Sequence, residues 1–160
     1  MSINQDEFKQ ALRRWASGVT VVTTKTADDQ PAGMTVSSFS SVSAEPPLVL
    51  VCINADSSNA EAIMESGVFA VNILETDQAD LSGAFASSKT HEERFREIAW
   101  SEGVSGAPLL DGCTANLDCA LVQKVQAGSH WVFVGEVQAV RSQDGAPLLY
   151  FDGGYRKLQA

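Results

Sequence analysis

Six short hydroxyl side chains fall within nine positions: Thr35, Ser37, Ser38, Ser40, Ser41 and Ser43, in GMTVSSFSSVSAEPPLVLVCI (33–53). Hydroxyls both donate and accept, so such a cluster can cradle a phosphate or the polar edge of a ring. It can equally be a polar turn leading into the apolar strand that follows. Ser57-Ser58 is a second candidate anion site, at the start of a helical segment. There, unpaired N–H groups and the helix dipole favour negative charge. The plainer reading is an N-cap, and Glu61 in the first turn opposes an anion. His130 follows Gly128-Ser129 and reads either as a turn residue or as a catalytic group. Arg94, in HEERF, reads as a solvated helix face. Tyr155 and Arg156 follow Gly153-Gly154, either as a frayed tail or as a ring and a cation brought to a ligand edge. Local spacing suggests no Ser-His-Asp or Cys-His arrangement. GxGxxG after a strand and GxxxxGK[ST] are both missing, so a nucleotide must be held another way.

The elements that position these residues follow from periodicity. NQDEFKQALRRWA (4–16) puts Phe8, Ala11, Leu12 and Trp15 at helical spacing, ending at Ser17-Gly18. VTVVTT (19–24) is β-branched throughout and predicts a strand. Asp28-Asp29-Gln30-Pro31 is a turn, and PAGMTVSSFSS returns as a second strand. LVLVCIN (48–54) is apolar on both parities, which predicts burial on both faces. SSNAEAIMES (57–66) predicts a helix capped by Ser58 with Glu61 and stopped by Gly67. Strand VFAVNIL (68–74) precedes helices over 76–87 and 90–98, the second with a Thr90/Glu93 capping box. SEGVSGAPLLDG (101–112) reads as a loop. Strands over 115–126, 130–140 and 148–151 complete the chain. Strands with short intervening helices and no βαβ alternation predict a mainly β, antiparallel barrel with peripheral helices, in one domain over 1–160. In an extended serine segment Thr35 and Ser37 share one face and Ser38 and Ser40 the other, so ligand contacts should favour one parity.

Composition narrows the partners. The net charge is −9 and the pI about 4.5. Nucleic-acid affinity comes largely from basic residues, so nucleic acid is excluded as a partner, and an anionic membrane surface with it. Small anions remain, because a few N–H groups and one or two cations suffice locally. No stretch reaches the roughly 18 apolar residues of a bilayer span, and MSINQDEF is no signal peptide. A cytoplasmic protein is expected. Cys52, Cys113 and Cys119 are odd in number and form no CxxC pair, which predicts reduced thiols. With only His91 and His130 available, no metal site is expected.

Six segments together resemble one family: WASGVTVVTT, PAGMTVSSFSSVSAEPPLVLVCI, SSNAEAIMESGVFAVNIL, GAPLLDGCTANLDC, GSHWVFVGEV and PLLYFDGGYRKL. They are similar to the flavin reductase-like proteins, the small reductase component of two-component flavin-dependent monooxygenases. The likeness runs through nearly the whole chain, in order. It implies an antiparallel split β-barrel that binds FMN or FAD, as a homodimer with flavin sites near the subunit interface. It implies hydride transfer from NADH or NADPH to flavin, and a separate oxygenase that receives the product.

Carried over residue by residue, Thr35, Val36, Ser37 and Ser38 match the loop that meets the flavin ring and ribityl chain, with Ser41 in the same motif. Cys52, Ile53 and Asn54 fall at the end of the flanking strand. Ser57 and Ser58 match the phosphate-side segment, and Phe85 and Arg94 a region bordering the cofactor. Tyr155 and Arg156 match the segment that closes the site. His130 matches the histidine of a Gly-Asp-His motif near the nicotinamide. Here the family's Asp is Ser129, which brings a hydrogen bond but no charge. The resemblance thus assigns His130 to positioning the nicotinamide, and backbone N–H groups near Thr35–Ser38 to stabilising charge on reduced flavin. Two other readings stay open on the sequence: a flavin-binding module without reductase activity, and a pyridoxamine-phosphate oxidase-like split-barrel enzyme.

Overall fold

Val36 and Phe39 lie on strands at opposite ends of one seven-stranded sheet, yet only Ser37 and Ser38 separate them. The computed structural model, which describes residues 2–159, runs α1 (Gln5–Leu12), β1 (Ser17–Gly18), β2 (Thr20–Lys25), β3 (Pro31–Val36), β4 (Phe39–Ala44) and β5 (Pro47–Asn54). Then come α2 (Ser58–Ser66), β6 (Val68–Ile73), α3 (Ala79–Ala86), α4 (His91–Arg96), β7 (Trp100–Glu102) and β8 (Pro108–Leu110). β9 (Ala115–Ala127), β10 (His130–Ser142), β11 (Leu149–Phe151) and β12 (Gly154–Arg156) finish the chain. The large sheet has the order β3-β2-β6-β9-β10-β5-β4, every pair antiparallel. If flat, its outer strands would stand about 29 Å apart, at roughly 4.8 Å per strand. Three Cα steps reach at most about 11 Å. The sheet must therefore curl until β3 and β4 meet, and the serine segment is the seam.

The sequence predicts one strand across this region; two are present, because the chain leaves β2 and is captured by β5. Thr20 Oγ1 donates to the Val36 carbonyl (2.6 Å), and Cys52 N–H to the Ser38 carbonyl (3.1 Å). The barrel interior is filled by Val22, Val51, Ile53, Phe69, Val71 and Phe133. Val19, Val21, Leu81, Phe85 and Phe95 form a second core where α3 and α4 cover β2 and β3. Burial on both faces belongs to β2, whose first five residues are all buried, and not to β5. In β5 Val49, Val51 and Ile53 are buried, while Leu48, Leu50 and Cys52 are only half-buried. Their face is not packed into the core: Leu50 and Cys52 open into a cavity whose other walls include Leu12 of α1 and Tyr150 of β11.

Three more expectations need correction. The α2 cap is Ser57, whose Oγ accepts from Ala60 N–H (3.2 Å), so Ser58 is already the first helical residue. The 101–112 loop holds the β7–β8 ladder. The C-terminal residues are no frayed tail: β12 pairs with β11, and β11 with β1. Gly67, at φ 71°, stops α2 as expected, and Thr90 and Glu93 form the capping box of α4.

A buried amide network pins β8 to the barrel. Asn72 Nδ2 donates to the Val21 carbonyl (2.8 Å), and its Oδ1 accepts from Leu110 N–H (3.0 Å) and Asn116 Nδ2 (2.7 Å). Replacing Asn72 by Ala strands two buried donors at once, each worth about 1–3 kcal/mol. Asn72→Ala is expected to lose about 3 kcal/mol of unfolding free energy, measured by urea titration.

Candidate functional site

The seam separates two cavities. The first, about 630 Å³, is lined by Ser37, Ser38, Leu50 and Cys52, with Trp15 and Tyr150 on its far walls. The second, about 590 Å³, is lined by Thr35, Ser57, Ser58, Lys89, His91 and Arg94, with Phe85 and Asn59 behind them. Both open within four residues of one another along the chain, because β3 ends at Val36. The alternation that the one-parity expectation assumes is broken for the same reason. Thr35 faces the second cavity, while Ser37, Ser38 and Ser40 all line the first. Strand alternation does not continue across a strand break.

Among the described residues no carboxylate lines the second cavity, in a chain whose net charge is −9. Its donors are hydroxyls, the Lys89 ammonium and the Arg94 guanidinium. Arg94 is largely engaged: Nη1 donates to the Gly33 carbonyl and Nη2 to the Ser87 carbonyl, both at 2.6 Å. Its Nε is buried without a partner, as is Asn59 Oδ1. Buried polar atoms normally find partners, so both are available to a bound group. Burial lowers the pKa of Arg94 from its ordinary value, but the guanidinium stays charged. His91 Nδ1 accepts from Gly33 N–H (3.3 Å), and Nε2 lies 3.3 Å from Ser58 Oγ. The ring thus ties β3 to the start of α2. The packing is close at Gly33: a Cβ would lie 3.0 Å from the Phe85 ring and 3.2 Å from the Val22 carbonyl, so either neighbour would have to shift.

Ser82 gathers the remaining polar residues. Its carbonyl accepts from Thr35 Oγ1 (2.6 Å), and its Oγ lies 2.7 Å from Tyr155 OH. Tyr155 packs edge-on against Tyr150 at 5.6 Å. The C-terminal hairpin is thereby fastened beside the seam.

Of the residues singled out in the sequence, Thr35, Ser57, Ser58, Phe85 and Arg94 converge on the second cavity, and Ser37, Ser38 and Cys52 on the first. Val36 and Ile53 are buried in the core, so only their backbone groups can meet a ligand. Asn54 Oδ1 closes a local turn on Asp56 N–H. Ser41 lies on β4 and lines neither cavity; Arg156 is exposed, its Nη1 on the Tyr155 carbonyl. His130 begins β10 opposite Asn54, exposed, with Nδ1 2.9 Å from Ser129 Oγ. The hydroxyl that stands where the resemblance expects an Asp therefore does reach the ring. Lys89, His91, Asn59 and Ser82 were not singled out. For Lys89 and His91 the flanking capping box was a usable signal, since it places both at the start of a helix; for Ser82 no local signal exists.

Cys113 and Cys119 are buried thiols. Burial pushes them up to about 11 and about 12, so both stay protonated, and Cys52 is likewise free.

Residues 12–159 match the model of the flavin reductase like domain. The chain belongs to the flavin reductase-like family. It is 40% identical to an NADH-dependent flavin reductase of Rhodococcus sp, over 95% of this chain and 85% of that protein. It is 35% identical to the reductase subunit HsaB of a flavin-dependent monooxygenase of Rhodococcus jostii, over 99% and 80%. Among solved structures it superposes on an NADH:FAD oxidoreductase of Streptomyces globisporus, in complex with NAD and FAD fragments, with TM-score 0.91 and 33% identity, over 98% of this chain and 93% of that one. The antiparallel barrel with a serine seam is thus a flavin reductase-like fold.

His91 offers a check on this geometry. Burial and the neighbouring Arg94 cation lower its pKa below the ordinary 6.5, against a smaller opposing effect from Gly33. A lowered folded pKa means that the unfolded chain takes up the proton first. Stability is therefore full above about pH 6.5 and falls as pH drops below it. Thermal unfolding of His91→Gln is expected to fall less between pH 7.5 and pH 5 than that of the native protein.

Proposed function

We propose that this protein is a flavin reductase that transfers a hydride from NADH to FMN or FAD and supplies the reduced flavin to a separate monooxygenase. The observation that carries this reading is the acid-free, Lys89- and Arg94-lined cavity beside the serine seam of a chain with net charge −9. Family membership supports it, as do relatives named as NADH-dependent flavin reductases and monooxygenase reductase subunits.

The donor set fits a flavin phosphate: hydroxyls of Ser57 and Ser58, the Lys89 ammonium, the open Nε of Arg94 and the N-terminal turn of the nine-residue α2. A bound flavin supplies the hydride acceptor, so the chain's own work is placement. Lys89, Ser57 and Ser58 hold the phosphate. The Thr35–Ser38 seam, with its broken ladder, presents backbone and hydroxyl groups to the polar edge of the ring. The half-buried Leu50 and Cys52 face meets the apolar part. Reaction geometry requires the nicotinamide within roughly 3–3.5 Å of the ring face, and His130, oriented by Ser129, positions its carboxamide or ribose. No strong acid or base is needed, and Cys113 and Cys119 take no part.

A homodimer belongs to the same proposal. No residue of α1 is buried; Phe8 and Leu12 on its apolar stripe, and Trp15 just beyond its end, are 50%, 55% and 77% exposed. An eight-residue helix is unstable without packing on that stripe, and a second chain supplies it. Among the described residues no helix is long and apolar enough to cross a membrane.

The test is NADH oxidation with FMN or FAD as second substrate. Lys89→Ala is expected to raise the flavin KM roughly tenfold with little change in kcat, the effect of one charged hydrogen bond. His130→Ala should raise the NADH KM while leaving flavin binding unchanged. Absence of flavin-dependent NADH turnover would overturn the proposal. Light scattering after gel filtration tests the dimer: Leu12→Asp with Trp15→Asp is expected to halve the mass.

A further inference from the structure

A third cleft lies directly behind the basic cavity. It has a volume of about 540 Å³ and runs between the turn joining β2 to β3 and the outer side of α4. Thr26, Asp28, Gln30 and Pro31 line it from one side, and His91, Phe95 and Arg96 from the other. His91 is the shared wall, lining both cavities. Gly33 and Ser58 engage its two ring nitrogens, so the imidazole is a fixed plane.

The two spaces differ in charge. The basic cavity has Lys89 and Arg94 and no carboxylate. The cleft has Asp28 and Glu92 against Arg96, and the Arg96–Glu92 pair neutralises itself at 2.8 Å. Asp28 is left in excess. A phosphate is drawn to the first space and repelled from the second. A neutral nucleoside suits the second: the fixed imidazole plane and the Pro31 ring for the base, over a floor formed by the edge of buried Phe95, and acceptors on Asp28 and Gln30 for its amino group and the ribose hydroxyls.

We propose that this cleft takes the adenosine half of a dinucleotide whose phosphates lie in the basic cavity, and that the protein therefore binds FAD in preference to FMN. The inference rests on the flavin reading of the basic cavity. FMN ends at its phosphate and leaves the cleft unused. NADH carries the same adenosine diphosphate group. The flavin is its source here because the basic cavity is contiguous with the seam through Thr35.

Titration of the purified protein with FAD, FMN and ADP, by flavin fluorescence and calorimetry, tests this without turnover. FAD is expected to bind roughly tenfold more tightly than FMN, the effect of seating one base on planar side chains. ADP should compete with FAD. Gln30→Trp, which fills the cleft, and Asp28→Ala, which removes its acceptor, should raise the FAD Kd toward that of FMN and leave the FMN Kd unchanged. Circular dichroism confirms that each variant is folded. Equal Kd values for FAD and FMN in the native protein overturn the inference while leaving the flavin reading intact. So does an outcome in which the variants weaken only NADH, which would assign the cleft to the nicotinamide nucleotide. Failure of both flavins to bind overturns the flavin reading itself.

Discussion

The Val36–Phe39 link has to join the two edges of a seven-stranded sheet, and the rest of the molecule follows from that closure. A sheet shut by a piece of chain instead of a ladder leaves a split, with unladdered edges on both sides. Gly33, on the outer edge of β3, shows how one side is managed. Its N–H goes to His91 and its carbonyl to Arg94, both from α4. Thus α4 covers an open edge, and in doing so carries Lys89, His91 and Arg94 to the seam. Phe85 presses close against β3 where residue 33 has no side chain. Edge protection and the cationic cavity are one construction.

The charge distribution is the second consequence. An acidic chain gives no general attraction to anionic nucleotides. Selectivity must be local, from a cavity that collects the cations and keeps carboxylates out. Glu61 and Glu93 do stand in the first turns of α2 and α4, but neither lines it. Glu93 is turned back on Thr90 N–H as part of its capping box (3.0 Å). The cap thus serves the site indirectly by keeping a negative charge away from it.

Much of the local structure was legible in the residues. The β-branched run at 20–24, the Gly67 stop, the Thr90/Glu93 box and the long hairpin at 115–142 all follow from propensity and turn chemistry. The errors share one cause. The serine segment was read as a continuous strand because each residue in it tolerates a strand; its break is imposed by which partners lie on either side. β5 was read as buried on both faces because its residues are apolar; its second face fronts a cavity. For Arg94 the local pattern HEERF gives only a solvated helix face, whereas carbonyls 61 and 7 residues away in sequence claim its guanidinium.

The sequence by itself determined most of the long strands, the Thr90/Glu93 cap, the Gly67 stop, the acidic charge and the family, since these depend on residue types and on neighbours a few positions away. Only the tertiary structure decided which hydroxyls meet. Thr35 and Tyr155 meet at Ser82, and Ser37 turns away from Thr35 into another cavity. It also decided that an exposed-looking lysine and histidine at 89 and 91 stand opposite Ser57 and Ser58. Those placements depend on barrel closure, which sets the distance between residues far apart in the chain and leaves no periodic trace in the sequence.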